Sequence, residues 1–490
     1  MSGPTPPTSG WRPPIADEER RVHAASAGID VACRAAHQAS LADERGTFLW
    51  AGRRFRTRAE DLEQLWAALP RDTDANDVVV IMEPTRNAWV PLAAWFRRRG
   101  ASVVLVPPER SADLRTYFSK HTKSDRLDSG LLARLPLLHP EGLHLERGLG
   151  PGDPMRRATR MRQTLVKRRT QTLARLDALL EILGPGWVAA LGSDLANKTP
   201  LRFLAAGYAC PHTVKRLGRA RLARFLYRHS RGSWGEDKAA ELLHAAEETL
   251  ELWAGELDFA ELADDTAVEA RVALALSDEI KELTERISVL YAKADPTGIM
   301  ASAPGVGSIL AAQILGRLGD PGRFRSLAAV RSFSGLVPSL DSSGLSGRHG
   351  GPTKRGDAGL REAIFMAADH ARRLDPSLAA RYHRLMTQAG KHHNSAVCHV
   401  GAVLLTRMAG CWRRGEPYEL RDVDGRPVSV AQGRQIIAER YVIPARLRRD
   451  RSTNDIRHRS RKGTSRRSQE SQSAPSTGPP TRKATPVGAA

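Results

Sequence analysis

Cysteine is scarce in this chain: four occur, Cys33, Cys210, Cys398 and Cys411, widely scattered and without a Cys-x-x-Cys pair. That usage argues against a disulfide framework and a zinc finger, and it fits a reducing cytoplasm. No uninterrupted apolar run reaches the roughly 18 residues that a membrane-spanning helix needs, so no membrane partner is expected. The opening MSGPTPPTSGWRPP has no basic stretch followed by an apolar one, so no secretory signal is expected either. A GxxxxGKS/T phosphate loop is missing, GPTKRG having the wrong spacing, and no ATP site is expected. Acidic residues are outnumbered, with 54 Asp and Glu against 75 Lys and Arg, a net charge of +21 over 490 residues. Such an excess calls for a polyanionic partner, nucleic acid well ahead of membrane lipid. The length implies several domains, and a hydrophobic fraction of 41% is ordinary for globular cores.

Five segments follow from composition and periodicity. Residues 1–23 are Pro-, Ser- and Gly-rich and read as a disordered leader. Residues 24–150 read as α/β. SAGIDVAC has a strand core ending near Asp30, HQASLADERGTFLWAG is a β-hairpin turning at 43–46, and RAEDLEQLWAAL is an amphipathic helix with Leu62, Leu65, Trp66 and Leu69 on one face. DVVVIMEP and ASVVLVPP are continuous apolar runs, as expected of strands buried on both faces, with a helix between them that Gly100 closes. A helix near 109–118 and another over 123–135 complete the unit. Residues 151–295 read as a basic, helical coiled-coil region. Leu173, Leu176, Leu180 and Leu183 step by three and four in one helix, and Val268, Val272, Leu276, Ile280, Leu283, Ile287 and Leu290 do so in another, suiting an antiparallel or intersubunit pair. Residues 296–428 read as a mainly helical domain. Its PGVG before an apolar helix resembles a helix-hairpin-helix element, and a Gly/Ser-rich loop lies further on. Residues 429–490 read as a basic disordered tail, with twelve Lys and Arg against three Asp and Glu from 446 onward.

The chemistry concentrates on acids. In SKHTKSDRLDSGLLARL, Asp125 and Asp128 stand three apart on one helical face, where two bare carboxylates repel each other unless a cation lies between them. Asp30 ends the first strand and Glu83 a later one. In an RNase H-like fold all four converge, giving hard oxygen ligands suited to Mg²⁺ or Mn²⁺, with two ions able to stabilise attacking and leaving oxygens in phosphoryl transfer. The expected fold class is therefore an α/β, RNase H/RuvC-like N-terminal domain followed by helical regions.

GID at 28–30, MEPT at 82–85 and KSDRLDSGLLA at 123–133 resemble the DEDD-motif insertion-sequence transposases, a family that includes Piv-type invertases and bridge-RNA-guided recombinases. The resemblance continues through SAPGVGSILAAQIL, FSGLVPSLDSSG and PTKRGDAGLREAIFMAA, covering about residues 25–415. It implies a RuvC-like domain whose Asp30, Glu83, Asp125 and Asp128 bind metal, and a C-terminal transposase domain with a serine nucleophile. In LDSSG that serine is Ser343, with Ser342 next and Ser346 third. A serine hydroxyl is a poor nucleophile at neutral pH and needs activation, for which no His–Asp pair stands nearby. Lys354, Arg355 and Arg361 then become phosphate contacts. The resemblance further implies donor and target DNA, strand exchange through a phosphoserine ester, and guidance by a structured noncoding RNA. Ser129 stands where the family usually has alanine, a change conservative in volume.

Exchange between two duplexes implies a homo-oligomer, a dimer or a dimer of dimers, working at the nucleoid. Lys215 and Arg219 open an Arg-rich helical stretch (215–231) that offers a nucleic-acid surface. HHNSAVCHV (392–400) fits helix packing better than zinc. Two other functions remain open on sequence: a metal-dependent nuclease or Holliday-junction resolvase using water, and a non-catalytic nucleic-acid-binding protein.

Overall fold

A computed structural model describes residues 24–450, apart from 109–110, 114–115, 117–123, 139–142, 144, 147–149, 151, 193–194, 344–345 and 354–355. The chain forms two compact units that divide between Asp153 and Pro154.

The first unit is a five-stranded mixed sheet covered by helices. Strands β1 (Ala25–Asp30), β2 (His37–Asp43) and β3 (Phe48–Phe55) form an antiparallel meander, helix α1 (Ala59–Ala67) follows, and β4 (Val78–Met82), α2 (Trp89–Arg98) and β5 (Ser102–Leu105) extend the sheet on the other edge of β1. The order is β3-β2-β1-β4-β5, with β1, β4 and β5 parallel. Helix α3 (Asp125–Leu138) completes the unit. The β2–β3 turn falls where the sequence puts it: the Asp43 carboxylate accepts from the Arg45 and Thr47 amides at 2.9 and 2.8 Å. The expected helix near 109–118 lies largely outside the described residues.

Every residue of β4 is buried, because both sheet faces are covered. Val78, Val80 and Met82 pack with Leu62, Leu65, Leu92 and Phe96 of α1 and α2. Val79 and Ile81 pack with Leu132 and Leu135 of α3. This period-two split fixes which side chains of β1 and β4 look toward α3.

The second unit is mainly helical. It contains α4 (Gly152–Leu183), α5 (Pro185–Leu191), α6 (Lys198–Ala205), α7 (Pro211–Leu217), α8 (Arg219–Ser230), α9 (Glu236–Trp253), α10 (Phe259–Ala294), α11 (Ser308–Leu318) and α12 (Leu327–Ser334). A two-stranded ribbon, β6 (Pro338–Ser343) and β7 (Ser346–Pro352), precedes α13 (Ala358–Ala371), α14 (Pro376–Thr387), α15 (His393–Arg414) and α16 (Val430–Arg440). Trp187 and Phe203, both fully buried, centre the core of α4–α10, and the Trp187 indole donates to Thr249 Oγ1 at 2.9 Å.

Three expectations need correction here. The predicted apolar line of α10 fails at its start, where Val268 and Val272 are 50% and 43% exposed, and holds further on, where Ile287 is buried. Ala263, Thr266, Ala267, Ala270 and Ala273 are buried instead. Small side chains let the helix backbone come close to its neighbours, and the larger valines are left on the flank. Leu176, Leu180 and Leu183 of α4 are spent in this unit's own core rather than on an intersubunit seam. Helices α4 and α10 do run antiparallel within one chain, joined by polar rungs: Arg162 to Thr284 at 2.8 Å, Arg169 to Ser277 at 2.7 Å, and Arg175 to Glu269 at 2.7 and 3.0 Å. Second, the Gly/Ser-rich stretch after α12 is the β6–β7 ribbon, not an irregular loop. Third, α16 lies inside the stretch read as a disordered tail. A capping box between Ser429 and Gln432 starts it, and Gly433 presses on the Leu374 carbonyl, where an added Cβ would come within 2.5 Å.

Helix α15 alone among the described helices is long and apolar enough to cross a membrane, and 61% of its apolar window is buried inside the protein as the central helix of the C-terminal bundle.

Candidate active site

Asp30 is the last residue of β1, and Glu83 directly follows β4, one residue past the parallel pair Ile29↔Met82, strands lying about 4.8 Å apart. Ile29 and Met82 face α1 and α2, so alternation turns both acids toward α3. Ser124 caps that helix, its carbonyl and hydroxyl both accepting from the Leu127 amide at 2.9 and 3.3 Å. Asp125 and Asp128 fall in its first turn, where the helix dipole favours negative charge. Asp128 is buried to 9% exposure and Asp125 is exposed. Asp30 thus ends β1, Glu83 directly follows β4, and Asp125 and Asp128 open the helix that packs on these strands. The donor set, carboxylate oxygens without Cys or His, fits a hard divalent cation in type. Among the described residues, no three acids, histidines or cysteines are drawn to the spacing of a single-ion site.

Gly28 sets how closely α3 crosses the sheet. A Cβ built there would lie 2.1 Å from the Ser129 carbonyl oxygen and 2.2 Å from the Ala133 nitrogen, both backbone atoms that cannot swing aside. The absent side chain lets the helix lie on β1 two residues before Asp30. Ser129 proves more than a volume match for alanine. Its hydroxyl meets Ser40 Oγ of β2 at 2.9 Å in a buried contact, and Ser40 Oγ accepts from the Gly52 amide at 3.2 Å. Such a bond contributes about 1 kcal/mol net. Further along, Arg134 donates to the Gly46 carbonyl at 2.9 Å and covers the Phe48 ring at 4.1 Å, so the acid helix is pinned to the hairpin as well.

The loop leaving Asp30 is held by His37. The Ala32 amide donates to His37 Nδ1 at 3.1 Å, so the proton sits on Nε2, which donates to Thr57 Oγ1 at 2.8 Å. Burial holds this imidazole below the ordinary histidine pKa. The unfolded chain therefore binds the proton more readily, and stability falls as pH drops below about 6.5 toward the lower native value. Thermal midpoints of the full chain are expected to fall between pH 7.5 and 5.5. His229, His393 and His399 are shifted in the same direction, so a His37→Gln variant should lose part of the slope. An unchanged slope would show that His37 does not couple.

In the second unit the serine candidates lie at the end of the β6–β7 ribbon. Ser343 pairs with Ser346 and Ser342 with Gly347. The ribbon's base is closed by the Thr353 amide donating to the Val337 carbonyl at 2.9 Å and the Asp357 amide to Phe333 at 3.2 Å. Lys354 and Arg355 lie outside the described residues. Arg361, expected as a phosphate contact, donates through Nη1 to the Ser334 and Gly356 carbonyls at 3.3 and 3.0 Å, a bracing role at the ribbon's base.

Arg317 and Asp357 were not singled out by sequence. The half-buried Arg317 guanidinium of α11 pairs with the Asp357 carboxylate at 3.0 Å, and that carboxylate caps α13 by accepting from the Leu360 amide at 2.8 Å. Gly359 leaves the space: its Cβ would sit 2.1 Å from the Arg317 guanidinium carbon. The only sequence signal is the Gly-Asp-Ala-Gly run at 356–359.

Lys215 is exposed in the last turn of α7, and Arg219 of α8 pairs with Glu236 at 2.8 Å. Arg224, Arg228 and Arg231 are exposed around Tyr227, itself 63% exposed. In the histidine cluster, His392 caps α15 through the Asn394 amide and His393 Nδ1 bonds the Tyr382 hydroxyl at 2.8 Å.

Comparison with known proteins agrees with this layout. A family model described as a transposase matches residues 27–185. Another, described as the transposase IS116/IS110/IS902 family, matches residues 298–383. Over 351 residues the chain is 25% identical to an uncharacterized 43.6 kDa protein of insertion element IS110 from Streptomyces coelicolor, covering 70% of this chain and 84% of that one. It is 28% identical over 381 residues to a 42 kDa protein of IS900 from Mycobacterium paratuberculosis, covering 76% and 91%. It is 26% identical over 371 residues to a 44.8 kDa protein of IS116 from Streptomyces clavuligerus, covering 76% and 90%. An acid-cornered mixed sheet followed by a helical unit, with these relatives along both, defines a transposase, an enzyme that cuts and rejoins DNA. The chain belongs to the IS110 family of insertion-element transposases.

Proposed function

We propose that the chain moves its insertion element by a serine recombination reaction assisted by the acid corner. The observation that supports this reading is the parallel register Ile29↔Met82, which Asp30 and Glu83 directly follow, with Asp125 and Asp128 in the first turn of α3. With β1–β3 antiparallel and β4 and β5 parallel, the sheet order supports an RNase H/RuvC-like assignment. Ser343 Oγ attacks a backbone phosphorus. An Oγ–P ester forms, one P–O bond to deoxyribose breaks, the hydroxyl proton leaves the serine, and the departing sugar oxygen takes one up. Rejoining reverses these changes with a new sugar hydroxyl, so bond energy is conserved and no ATP is consumed. A divalent cation, Mg²⁺ or Mn²⁺, held by Asp30, Glu83, Asp125 and Asp128 would supply Lewis-acid stabilisation of the phosphoryl oxygens. Lys354 and Arg355 supply positive charge to the same phosphate. Lys215 and Arg219 lie on the basic α7–α8 surface, which holds nucleic acid.

Guidance by a structured noncoding RNA follows from the resemblance to bridge-RNA-guided recombinases and suits a net charge of +21. Base pairing then specifies donor and target, and the protein reads backbone shape and phosphate. A homo-oligomer holds two duplexes together.

The test is to express the chain with the DNA that flanks its gene, then look for two products. A DNA-linked protein band that survives denaturation is the expected covalent intermediate, with the label on the peptide containing Ser343. A discrete RNA encoded by the flank is the expected companion. Cut DNA without any linked protein would favour hydrolysis by water, the nuclease reading. Only random cellular RNA would remove the guide.

A further inference from the structure

A cavity of about 620 Å³ lies within the second unit, between the end of α13, α14, the start of α15 and helix α16 with the residues after it. That volume is in the range of small-molecule sites. Neither the acid corner nor the serine ribbon contributes to it. Its apolar lining comes from Met386, Ile437 and the buried Ile443. Two tyrosines and two arginines, Tyr382, Tyr441, Arg372 and Arg373, also line it.

The polar lining is preassembled. Asp369 accepts from Arg372 Nε and Nη2 at 2.8 and 2.6 Å and from Arg373 Nη2 at 2.7 Å. One carboxylate shared by two guanidiniums leaves a net positive charge, and Arg373 is 60% exposed. The Arg372 guanidinium lies over the Tyr382 ring at 4.2 Å, and the Tyr382 hydroxyl is held by His393 Nδ1 at 2.8 Å, so this ring cannot turn away. The α16 side is held in place as well. Gly433 seats α16 on the Leu374 carbonyl, and Arg440 pairs with the buried Asp422 at 3.5 Å.

A slot with apolar and aromatic walls and a cationic rim matches a planar base attached to a phosphate. Stacking on an aromatic ring beside arginine is how proteins hold bases that are not paired. A base inside a duplex cannot enter such a slot, because both its faces are already stacked. We propose that this cavity holds one unpaired nucleotide of a single-stranded segment, the base against Tyr441 and Ile437 and the phosphate at Arg373. The proposal rests on the chain's handling of nucleic acid, and it is independent of which serine attacks.

The test uses the full chain and short single strands, DNA in one arm and RNA in the other, each carrying a single photoreactive 5-iodouracil. Irradiation is expected to crosslink Tyr441 or Tyr382, identified by peptide mass spectrometry, and the stronger arm names the source of the nucleotide. The same sequence annealed to its complement should crosslink at least about tenfold less. Tyr441→Ala should weaken single-strand binding by about tenfold. Tyr441→Phe should restore it, since stacking needs the ring and not the hydroxyl. Arg373→Gln, at an exposed position, should weaken binding while the thermal midpoint moves little. Crosslinks confined to other peptides, equal crosslinking of the duplex, or unchanged affinity in Tyr441→Ala would each overturn the proposal. Because the readout is binding and not cleavage, its failure is distinguishable from failure of the serine mechanism.

Discussion

Replacing Ser343 by alanine is expected to lower DNA strand cleavage by about 10³-fold or more and to remove the covalent protein–DNA band, while leaving substrate binding intact. The magnitude follows from deleting a nucleophile, whose loss other groups cannot replace. Ser342→Ala should keep most activity if Ser343 attacks, and the two outcomes should exchange if the neighbouring hydroxyl is the nucleophile. Asp125→Ala and Asp128→Asn should also abolish cleavage, and added Mn²⁺ should not rescue them. The informative case is a split: cleavage that survives Ser343→Ala and Ser342→Ala but disappears in the aspartate variants means that water attacks, as in a resolvase. Gel-based cleavage of end-labelled donor DNA, run beside a filter-binding assay, separates these results.

Gly28→Val should be the most damaging substitution in the N-terminal unit outside the acids. A side chain at this position meets the Ser129 carbonyl oxygen and the Ala133 nitrogen at about half a normal contact distance. Helix α3 must then rise off the sheet, exposing the cluster of Ile81, Leu132 and Leu135 and breaking the Ser40–Ser129 bond. Destabilisation of about 3 kcal/mol or more is expected from the combined overpacking and lost contact. Limited proteolysis should cut within residues 24–153 before the remainder. A variant that folds with a wild-type thermal midpoint would show that the helix can move at little cost.

Much of the acid corner is legible in sequence because each acid terminates an apolar pattern. VVVIM and SVVL are buried on both faces and carry no other reading, so Glu83 had to come at a strand end. Asp125 and Asp128 stand at the head of a leucine-stepped helix. What periodicity conceals is equally specific. The buried stripe of α10 is built of alanine, and a search for large apolar residues selects the exposed Val268 and Val272 instead. The β6–β7 ribbon carries PSLDSS and SGRHGGP, which lack alternation, so its strands follow from pairing and not from pattern. Helix α16 buries only Gly433 among its own residues and offers no stripe to read. The Ser40–Ser129 contact joins residues 89 apart, and neither serine signals the other. The bracing of the ribbon's base by Arg361 is invisible in sequence, because its two carbonyl partners are backbone atoms.

The cramped crossing at Gly28 has a genetic side. Glycine codons change by one base into alanine, valine, serine, cysteine, arginine, tryptophan, aspartate or glutamate codons, and every one of those residues carries a Cβ. No missense step from this codon is sterically silent. An insertion element persists by copying itself faster than its copies decay, and here a single codon can inactivate a copy by any amino-acid change. A survey of copies within one genome can therefore sort the living from the dead at this position, before any of the four acids has been lost.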